Sequence, residues 1–407
     1  MRSWLLLWAL LGGCGAPVYE AGPEVFSAPG EHIGDDWIFS SARINRIDLE
    51  IPEESMEVLR AERRFSYPRF KVRASAVIDG EEVGEVGVRL RGGLGSYQPI
   101  DKKPKLELDL NEYSGERFYG LESLSLNNMA EECLGLREAL VFAAYAKVGL
   151  PSHRTGYAQL FLNGQDYGLY TVIESADDRW LRRNYPDPDG NFYDGKYVFA
   201  GNWPKFVDFA RDRDEWFDLE EGEDVDFADI RAISQGIYRA EDAGGAIDEP
   251  FRRLVDWPAL ALLLRVEQWT GNSDGYGTAV NNYRVYFQPG GPMQMSAWDV
   301  DNSLAIEPLL DEDDEPTGRF QVVYSPSETR PRGRLSEACL ADAECEALWR
   351  HTQVSARLQD GELRELAEAL IALTREGKLG DPRSICEDID YEGQTEALLS
   401  YLERGGD

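Results

Sequence analysis

The sequence is poor in positive charge, in histidine and in cysteine. It has 42 lysines and arginines against 75 aspartates and glutamates, a formal net charge of −33 over 407 residues. Because a nucleic-acid-binding surface must offer positive charge to phosphates, this balance argues against nucleic acid as a partner. It fits a soluble protein, or one that docks a basic protein. With three histidines, at positions 32, 153 and 351, and no Cys-x-x-Cys pair, the sequence gives weak support to a metal site built on cysteine.

Long hydrophobic runs are absent as well. The N-terminal apolar run, Trp4–Leu11, has eight residues, too few to cross about 30 Å of hydrocarbon as a permanent helix. It follows Met1-Arg2 and leads into Leu11-Gly12-Gly13-Cys14, the Leu-x-small-Cys form of a bacterial lipoprotein signal. We therefore predict a signal peptide over residues 1–13 and a lipid on Cys14. The mature protein is then an extracytoplasmic lipoprotein, in the periplasm or on the cell surface; cleavage elsewhere or a buried N-terminal helix is the alternative.

The remaining cysteines are even in number, which suits an oxidising compartment. Cys339 and Cys345 lie six residues apart and are the easiest pair to close. Cys133 and Cys386 are then left as a candidate long-range pair, although the sequence does not fix the connectivity.

The chain between these landmarks shows a change from strand patterns to helix patterns. Residues 14–36 are rich in glycine and proline and predict a flexible tether. Alternating apolar residues around the turn pairs Asp79-Gly80 and Asn163-Gly164 predict antiparallel strands. An amphipathic helix is predicted over Leu134–Val148, and an almost wholly apolar, buried helix over Trp257–Trp269.

Two neighbouring stretches are candidates for phosphate binding. Arg89–Tyr97, RLRGGLGSY, is glycine-rich, which lets backbone amides approach a phosphate, but it lacks the GK[ST] of a Walker A loop and most glycine clusters are turns. The following strand alternates leucines with charged residues from Lys105 onward, and Lys103 precedes it. A lysine here either reaches a phosphate or belongs to a solvated charged face.

The stretch Gly271–Asn302 carries the acidic residues of greatest interest. It reads as a polar loop with Asp274, a strand over Asn281–Phe287, a Pro/Gly turn and a second strand that ends in Trp298-Asp299-Val300-Asp301-Asn302. Several phosphoryl-transfer enzymes place a catalytic base beside a metal-binding aspartate in this way. Aspartate and asparagine are also common at strand ends for local hydrogen-bonding reasons, so a structural interpretation stands beside the catalytic one.

The order of these elements, and several short motifs, resemble the CotH family of atypical kinases, the spore-coat-protein-H-like proteins. The resemblance implies an α+β fold of the atypical bilobal protein-kinase-like kind, with an antiparallel-sheet N-lobe over 37–176 and a mainly helical C-lobe over 177–407 that contains the catalytic hairpin 271–302. It also implies transfer of the ATP γ-phosphate to a protein Ser or Thr with Mg²⁺ or Mn²⁺. The matching motifs, between roughly residues 45 and 305, are RLRGGLGSYQPIDKKPKLEL, FYGLESLSLNN, GLREAL, GLPSHRTGYAQLFLNGQDYGLYTVIES, GNFYDG, NNYRVYF and AWDVDNS.

Residue roles follow from this resemblance position by position. Asp274 matches the loop aspartate and is the expected catalytic base. Asp299 matches the metal-binding aspartate, with Asn282 and Asp301 as further candidate ligands. Either Lys103 or Lys105 fits the phosphate-binding lysine, so both stay open. The full set of expected nucleotide-binding residues is Arg91, Ser96, Lys103, Lys105, Glu138 as the helix partner of the lysine, and Glu174 with Ser175 near the adenine.

A second hypothesis belongs to another class of protein. ATP is scarce outside the cytoplasmic membrane, so the chain is alternatively a catalytically weak or inactive pseudokinase scaffold that acts as a cell-surface binding protein. Under both hypotheses the partner is a protein, which the acidity of the chain favours as a basic one, and the membrane is reached only through the N-terminal lipid.

Overall fold

The computed structural model describes residues 34–66, 68–93, 95–195, 198–200, 203–205, 207–211, 213–310, 316–322, 331–386 and 389–404. The predicted signal peptide, the lipidation site Cys14 and most of the predicted tether lie outside these residues. Within them, no helix combines the length and the apolar character needed to cross a membrane. The chain has a mixed α+β fold.

The first half is built around a closed barrel of seven strands. These are β1 Ile44–Glu50, β2 Lys71–Ile78, β3 Glu81–Arg91, β4 Lys105–Asp109, β5 Ser123–Asn127, β6 Thr155–Leu162 and β7 Gln165–Glu174. Around the barrel they follow the order β1-β2-β3-β4-β5-β7-β6. Apolar side chains alternate inward along each strand, as the sequence predicts, and fill the interior.

The closing pair of this barrel departs from the expected antiparallel sheet. Strands β1 and β6 run parallel, with Ile44 opposite Tyr157 and Leu49 opposite Leu162, whereas the other neighbouring pairs are antiparallel. Local alternation specifies which face of a strand is buried but not its distant partner. Closure protects both edges of the sheet, which would otherwise expose unpaired backbone groups.

Two helices and a short N-terminal turn cover the barrel. Helix α1 spans Glu53–Ala61, and helix α2 spans Arg137–Lys147 within the predicted helical stretch. A 3-10 helix over Asp36–Phe39 buries its aromatic and aliphatic side chains. Just before it, Asp35 forms ion pairs with Arg154 and Arg179. Asp35 and Asp36, at the end of the segment predicted as a tether, therefore pack against the barrel.

The second half contains more sheet than the predicted mainly helical lobe. Strands β8 Asn191–Gly195, β11 Phe217–Glu221, β12 Tyr283–Phe287 and β13 Met293–Ala297 form a sheet in the order β11-β8-β12-β13; β9 Val198–Ala200 pairs with β10 Trp203–Lys205, and β14 Ile306–Leu310 with β15 Pro316–Val322. The helices are α3 Asp178–Asn184, α4 Ala228–Asp242, α5 Glu249–Leu254, α6 Trp257–Thr270, α7 Tyr276–Ala279, α8 Arg334–Ala341, α9 Ala343–His351, α10 Ser355–Leu358, α11 Glu362–Leu379 and α12 Tyr391–Arg404, with a 3-10 turn at Asp214–Trp216.

Helix α6 delivers the chain to the acidic stretch. The side chain of Asp256 caps its first turn by accepting from the N–H of Ala259 at 3.0 Å. The helix is largely buried, as predicted, and ends at Gly271, whose φ of 62° is the left-handed conformation typical of a helix C-terminus. The polar loop with Asp274 starts immediately after this turn.

Two disulfides fasten distant and local segments. Cys133–Cys386 closes a separation of 253 residues and links the segment before α2 to the segment before α12. Cys339–Cys345 joins α8 to α9. By restricting the unfolded chain, the long-range bond contributes about 5 kcal/mol in the chain-entropy description.

Candidate functional site

A cleft of about 510 Å³ separates the barrel from the four-stranded sheet. The end of β3, the glycine-rich segment and the first residue of β4 form its barrel side. The facing side consists of the end of β8, the loop between α6 and β12, and the residues after β13. The polar, charged and aromatic residues that line the cleft include Arg64, Arg69, Arg89, Arg91, Ser96, Lys105, Glu131, Asp194, Asp274, Asn281, Asn282, Trp298, Asp299 and Asn302.

The loop that carries Asp274 is held in place by Glu267 on helix α6. The buried Glu267 carboxylate accepts hydrogen bonds from the N–H groups of Tyr276 at 2.9 Å and Gly277 at 2.8 Å. Burial raises the pKa of Glu267 to about 7, and these two N–H groups offset only part of that rise. A Cβ atom on Gly275 would overlap the Glu267 side chain. The segment GYGTAV therefore forms a short helix, α7, braced against α6.

Three asparagines position Asp274, one through its backbone and two through its carboxylate. Asn272 Oδ1 accepts from the Asp274 N–H at 3.0 Å, and the amides of Asn281 and Asn282 donate to Asp274 Oδ2 at 3.1 and 2.8 Å. Burial raises the pKa of Asp274 to about 6; the Asn281 bond opposes this rise and the negative charge of Asp299 adds to it. A fixed, partly buried carboxylate with such a pKa suits a general base.

Lys105 and Asp299 face each other across the cleft as an ion pair. The Lys105 ammonium also lies 3.8 Å from Asp301 Oδ2. Burial alone would lower the pKa of Lys105, but Asp299, Asp301 and Glu138 together raise it above its ordinary value. The lysine thus brings positive charge to the part of the cleft beside Asp299 and Asp301, which we call the acidic end. It also connects the barrel to the residues after β13.

A buried amide links helix α2 to this acidic end. Asn127 Nδ2 donates to Glu138 Oε2 at 2.8 Å and to Asp301 Oδ2 at 3.0 Å. Burial raises the pKa of Glu138 well above its ordinary value, and the Asp301 charge adds to the rise. The motif FYGLESLSLNN contains Asn127 but gives no sign of this role, because one of the two acids, Asp301, lies 174 residues away.

Glu131 is a second cleft residue that sequence reasoning missed. It lines the cleft, and burial raises its pKa to about 7, with the negative charges of Asp301 and Asp299 contributing. Gly95 packs directly against it with φ of +84°, and a Cβ there would overlap the Glu131 carboxylate. The glycine-rich segment therefore has room beside an acid only because this position lacks a side chain.

The other predicted residues divide between the cleft and the remainder of the fold. Arg91 and Ser96 line the cleft, whereas Lys103, Glu174 and Ser175 do not. Lys103 is buried in an ion pair with Asp381, and burial, opposed by Asp381, lowers the pKa of Lys103 to about 8. Glu174 forms ion pairs with Arg154 and Arg183, and its carbonyl group contacts His153 Nδ1 at 2.8 Å.

The acidic end of the cleft fits a divalent cation. Mg²⁺ and Mn²⁺ prefer oxygen ligands, and Asp299, Asp301 and Asn282 supply them. Within the described residues, Asp301 Oδ1 is buried without a hydrogen-bond partner. A buried carboxylate oxygen left in that state is costly unless something occupies it. The donor set therefore suits a hard cation at this end.

A closer group of carboxylates elsewhere does not offer a comparable site. Glu122, Asp177 and Asp178 bring oxygens within 4.8 Å of one another. Arg117 already pairs with Glu122 and Asp178, and Asp177 accepts from the first N–H groups of α3. These carboxylates serve ion pairs and a helix cap.

A mixed α+β chain with a lysine, a fixed carboxylate and an oxygen-rich acidic end around one cleft has the features of a kinase-like protein. The model of the family described as CotH kinase protein matches residues 88–404, most of the chain. The chain therefore belongs to the CotH kinase family, and the resemblance drawn from the motifs is confirmed. The match also takes in the helices after residue 305, which those motifs do not reach. None of the curated proteins matches the chain.

Proposed function

We propose that this protein is an atypical protein kinase that transfers the ATP γ-phosphate to a Ser or Thr hydroxyl of a protein substrate. In this proposal residues 37–176 and 177–407 act as the two lobes of a kinase-like fold, with ATP in the cleft between them. The observation that carries the proposal is the meeting of Lys105, Asp274 and Asp299 around one cleft inside the family-matched region.

Asp274 is the proposed base. Asn281 and Asn282 both bond to its Oδ2, so the orientation of the carboxylate is set before substrate binds. With a pKa of about 6 it is largely ionised near neutral pH, which suits acceptance of a hydroxyl proton. In phosphoryl transfer, positioning and charge balance do most of the catalytic work.

The phosphates are proposed to lie next to Asp274, because Asn282 bonds both to Asp274 and to the Asp299 carbonyl oxygen. Asp299, Asp301 and Asn282 would hold a Mg²⁺ or Mn²⁺ ion, which when bound would neutralise charge on the transferring phosphate. Lys105 exchanges its contact with Asp299 for a phosphate oxygen of ATP. Arg91, Ser96 and the backbone of the glycine-rich segment line the barrel side, where N–H groups can approach phosphate oxygens closely.

Location and anchoring are proposed from the N-terminal signal alone. Leu11-Gly12-Gly13-Cys14 supports export and lipid modification of Cys14. Mass spectrometry of the mature N-terminus tests this point, and an unmodified Met1 would refute it.

A pseudokinase scaffold is the second candidate function. It is favoured by the Lys105–Asp299 ion pair, since a cleft whose lysine already neutralises the metal-binding aspartate has to break that contact before it binds ATP with a cation. In this case the cleft binds protein segments without phosphate transfer.

Labelled ATP with Mn²⁺, combined with thermal shift, separates the two candidates. The expected result is phosphate transfer by the purified protein, lost in Asp274→Asn while the ATP-dependent shift is kept, and loss of both in Asp299→Asn. Asp194→Asn, which lies in the same cleft but pairs with Arg284, is the control. Transfer at the normal rate by Asp274→Asn would show that the base is misassigned, and a complete lack of transfer would favour the scaffold.

A further inference from the structure

The cleft is bordered by residues 62–66 and 68–70, the described part of the loop between α1 and β2. Arg64, Pro68 and Arg69 of this loop line the cleft. Phosphate transfer as proposed above uses none of them. We call this segment the docking loop.

The docking loop is held by a buried ion pair. The side chains of Glu62 and Arg69 are 1% and 5% exposed and lie 3.0 Å apart. Glu62 Oε1 also accepts from the N–H of Phe70 at 2.7 Å. A buried ion pair costs much desolvation, so it contributes more to a defined geometry than to stability. Glu62, Arg69 and the backbone of Phe70 are therefore held in a fixed arrangement.

The same arginine ties the docking loop to the glycine-rich segment. Arg69 Nη2 donates to the carbonyl oxygens of Gly92 at 2.7 Å and Arg64 at 2.8 Å. The Tyr97 hydroxyl donates to the carbonyl oxygen of Glu62 at 2.9 Å, and the Arg69 guanidinium lies over the Tyr97 ring. The docking loop and the proposed phosphate-binding segment thus form one unit.

Two arginines of this unit offer charge to an incoming ligand. Arg63 donates to the carbonyl groups of Arg60, Ala61 and Glu62, and Arg64 is exposed. In the part of the chain that the structure describes, neither forms an ion pair with a carboxylate, although acids outnumber bases by 75 to 42 in the sequence. The edge of the cleft therefore carries exposed positive charge at Arg64.

The charge along the cleft changes from its mouth to its depth. Lys105, at 3% exposure, pairs with Asp299, and Arg89 and Arg91 share Glu107. Arg64 is exposed and has no carboxylate partner among the described residues, so its charge is open to a ligand that enters from solvent.

We propose that the docking loop binds the segment of the protein substrate next to the acceptor hydroxyl and selects an acidic residue in it. Arg64 pairs with the carboxylate. This inference rests on the proposed function for the place of the acceptor hydroxyl, at Asp274. A preference for an acidic residue is opposite to what the net charge of −33 suggests. The net charge attracts basic partners at long range, whereas selection at contact depends on the charges that face each other locally.

Peptide binding without transfer tests the docking loop. Three fluorescent peptides share one serine and differ only in its flanking residues, which are Glu, Gln or Lys, and their binding to the full chain is followed by anisotropy. The Glu peptide is expected to bind about fivefold more tightly than the Gln peptide, as one well-formed charge pair allows, and the advantage falls with added salt. Arg64→Glu is expected to remove this advantage, because the peptide glutamate loses its positively charged partner. The substitution breaks no ion pair of the protein, since Arg64 has no carboxylate partner among the described residues.

The matched control is Arg253→Glu on α5, where the arginine is 77% exposed and pairs only with Glu249 among the described residues. It is expected to leave the order of the three peptides unchanged. Tighter binding of the Lys peptide overturns the inference. So does an Arg64→Glu variant that loses the ATP–Mn²⁺ thermal shift and keeps its preference for the Glu peptide.

The outcome is separable from that of the proposed function. Phosphate transfer without any preference among the peptides means that the docking-loop inference is wrong and the kinase stands. A preference for the Glu peptide that depends on Arg64, without transfer, supports the docking loop on a scaffold.

Discussion

Lys103 and Lys105 are separated by one proline, and they meet different parts of the molecule. Lys103 pairs with Asp381, from the segment between α11 and α12, and lies over the Tyr170 ring. Lys105 pairs with Asp299 at the acidic end of the cleft. The two lysines are nearly equally buried, at 1% and 3% exposure.

Their pKa values move in opposite directions. Burial lowers the pKa of Lys103 to about 8, because Asp381 offsets only part of the desolvation. Around Lys105 three acids outweigh burial and raise the pKa above its ordinary value. Burial of a lysine therefore does not by itself mark a functional site; the number and place of the surrounding carboxylates distinguish the two.

The largest effect is expected from Lys105→Met. Phosphate transfer should fall by about a hundredfold to a thousandfold, the usual loss when one group that stabilises developing charge is removed. The variant also leaves Asp299 and Asp301 without their cation, so Mn²⁺ alone should raise its melting temperature more than that of the natural protein. Transfer within tenfold of normal would show that Lys105 is not the phosphate-binding lysine.

The next largest effect is expected from Lys103→Met, on stability. Removing one partner of a buried ion pair should lower the free energy of unfolding by about 3 kcal/mol, measured by urea unfolding with the disulfides intact. Lys71→Met, whose partners Asp109 and Glu112 are partly exposed, should cost about 1 kcal/mol or less. Transfer per folded molecule should be normal in both variants. Lost transfer with unchanged stability in Lys103→Met would reverse the roles of the two lysines.

A smaller effect is expected in how the contribution of each lysine to the free energy of unfolding changes with pH. The folded state releases the Lys103 proton near pH 8, while the unfolded chain keeps it to about pH 10.5. The unfolded state then binds more protons between these values, so the contribution of Lys103 to stability rises with pH, by about 1 kcal/mol from pH 8 to 9. For Lys105 the folded pKa is raised, so its contribution is fully present below pH 10.5 and declines only above that value.

Urea unfolding at pH 7, 8 and 9 measures this difference. The gap in stability between the natural protein and Lys103→Met should widen by about 1 kcal/mol from pH 8 to 9. A gap that stays constant or narrows over this range would contradict the assigned environment of Lys103.

The smallest effect is expected from Ser175→Ala. Ser175 does not line the cleft, and the neighbouring backbone is already engaged, since the Glu174 N–H donates to the Arg154 carbonyl oxygen. The Kd for ATP with Mn²⁺ should stay within about twofold, below 0.5 kcal/mol. A tenfold weaker Kd, measured by calorimetry, would place the adenine near β7, as the family resemblance implies.

The sequence allowed prediction of those parts of the site that depend on nearby residues. The loop with Asp274, the strand entered through Asn281 and Asn282, and the acidic end of the second strand all follow from turn residues and alternation over a short range. The buried helix α6 follows from its apolar run.

Residues joined across long separations were harder to predict. The choice between Lys103 and Lys105 depends on Asp381, 278 residues from the first lysine, and on Asp299, 194 residues from the second. The parallel closure of the barrel by β1 and β6 is equally non-local. Asn127 went unnoticed because its partner Asp301 lies 174 residues away. Alternation and turn signals carry no information on such pairs.

Calorimetric titration of ATP with Mn²⁺ into the natural protein and into Asp299→Asn, Lys103→Met and Lys105→Met tests the central claim most directly. The cleft at Lys105 and Asp299 is predicted to bind nucleotide with the cation in the natural protein and in Lys103→Met, weakly in Lys105→Met, and not measurably in Asp299→Asn. Equal binding by the natural protein and Asp299→Asn, or binding lost in Lys103→Met alone, would contradict this assignment.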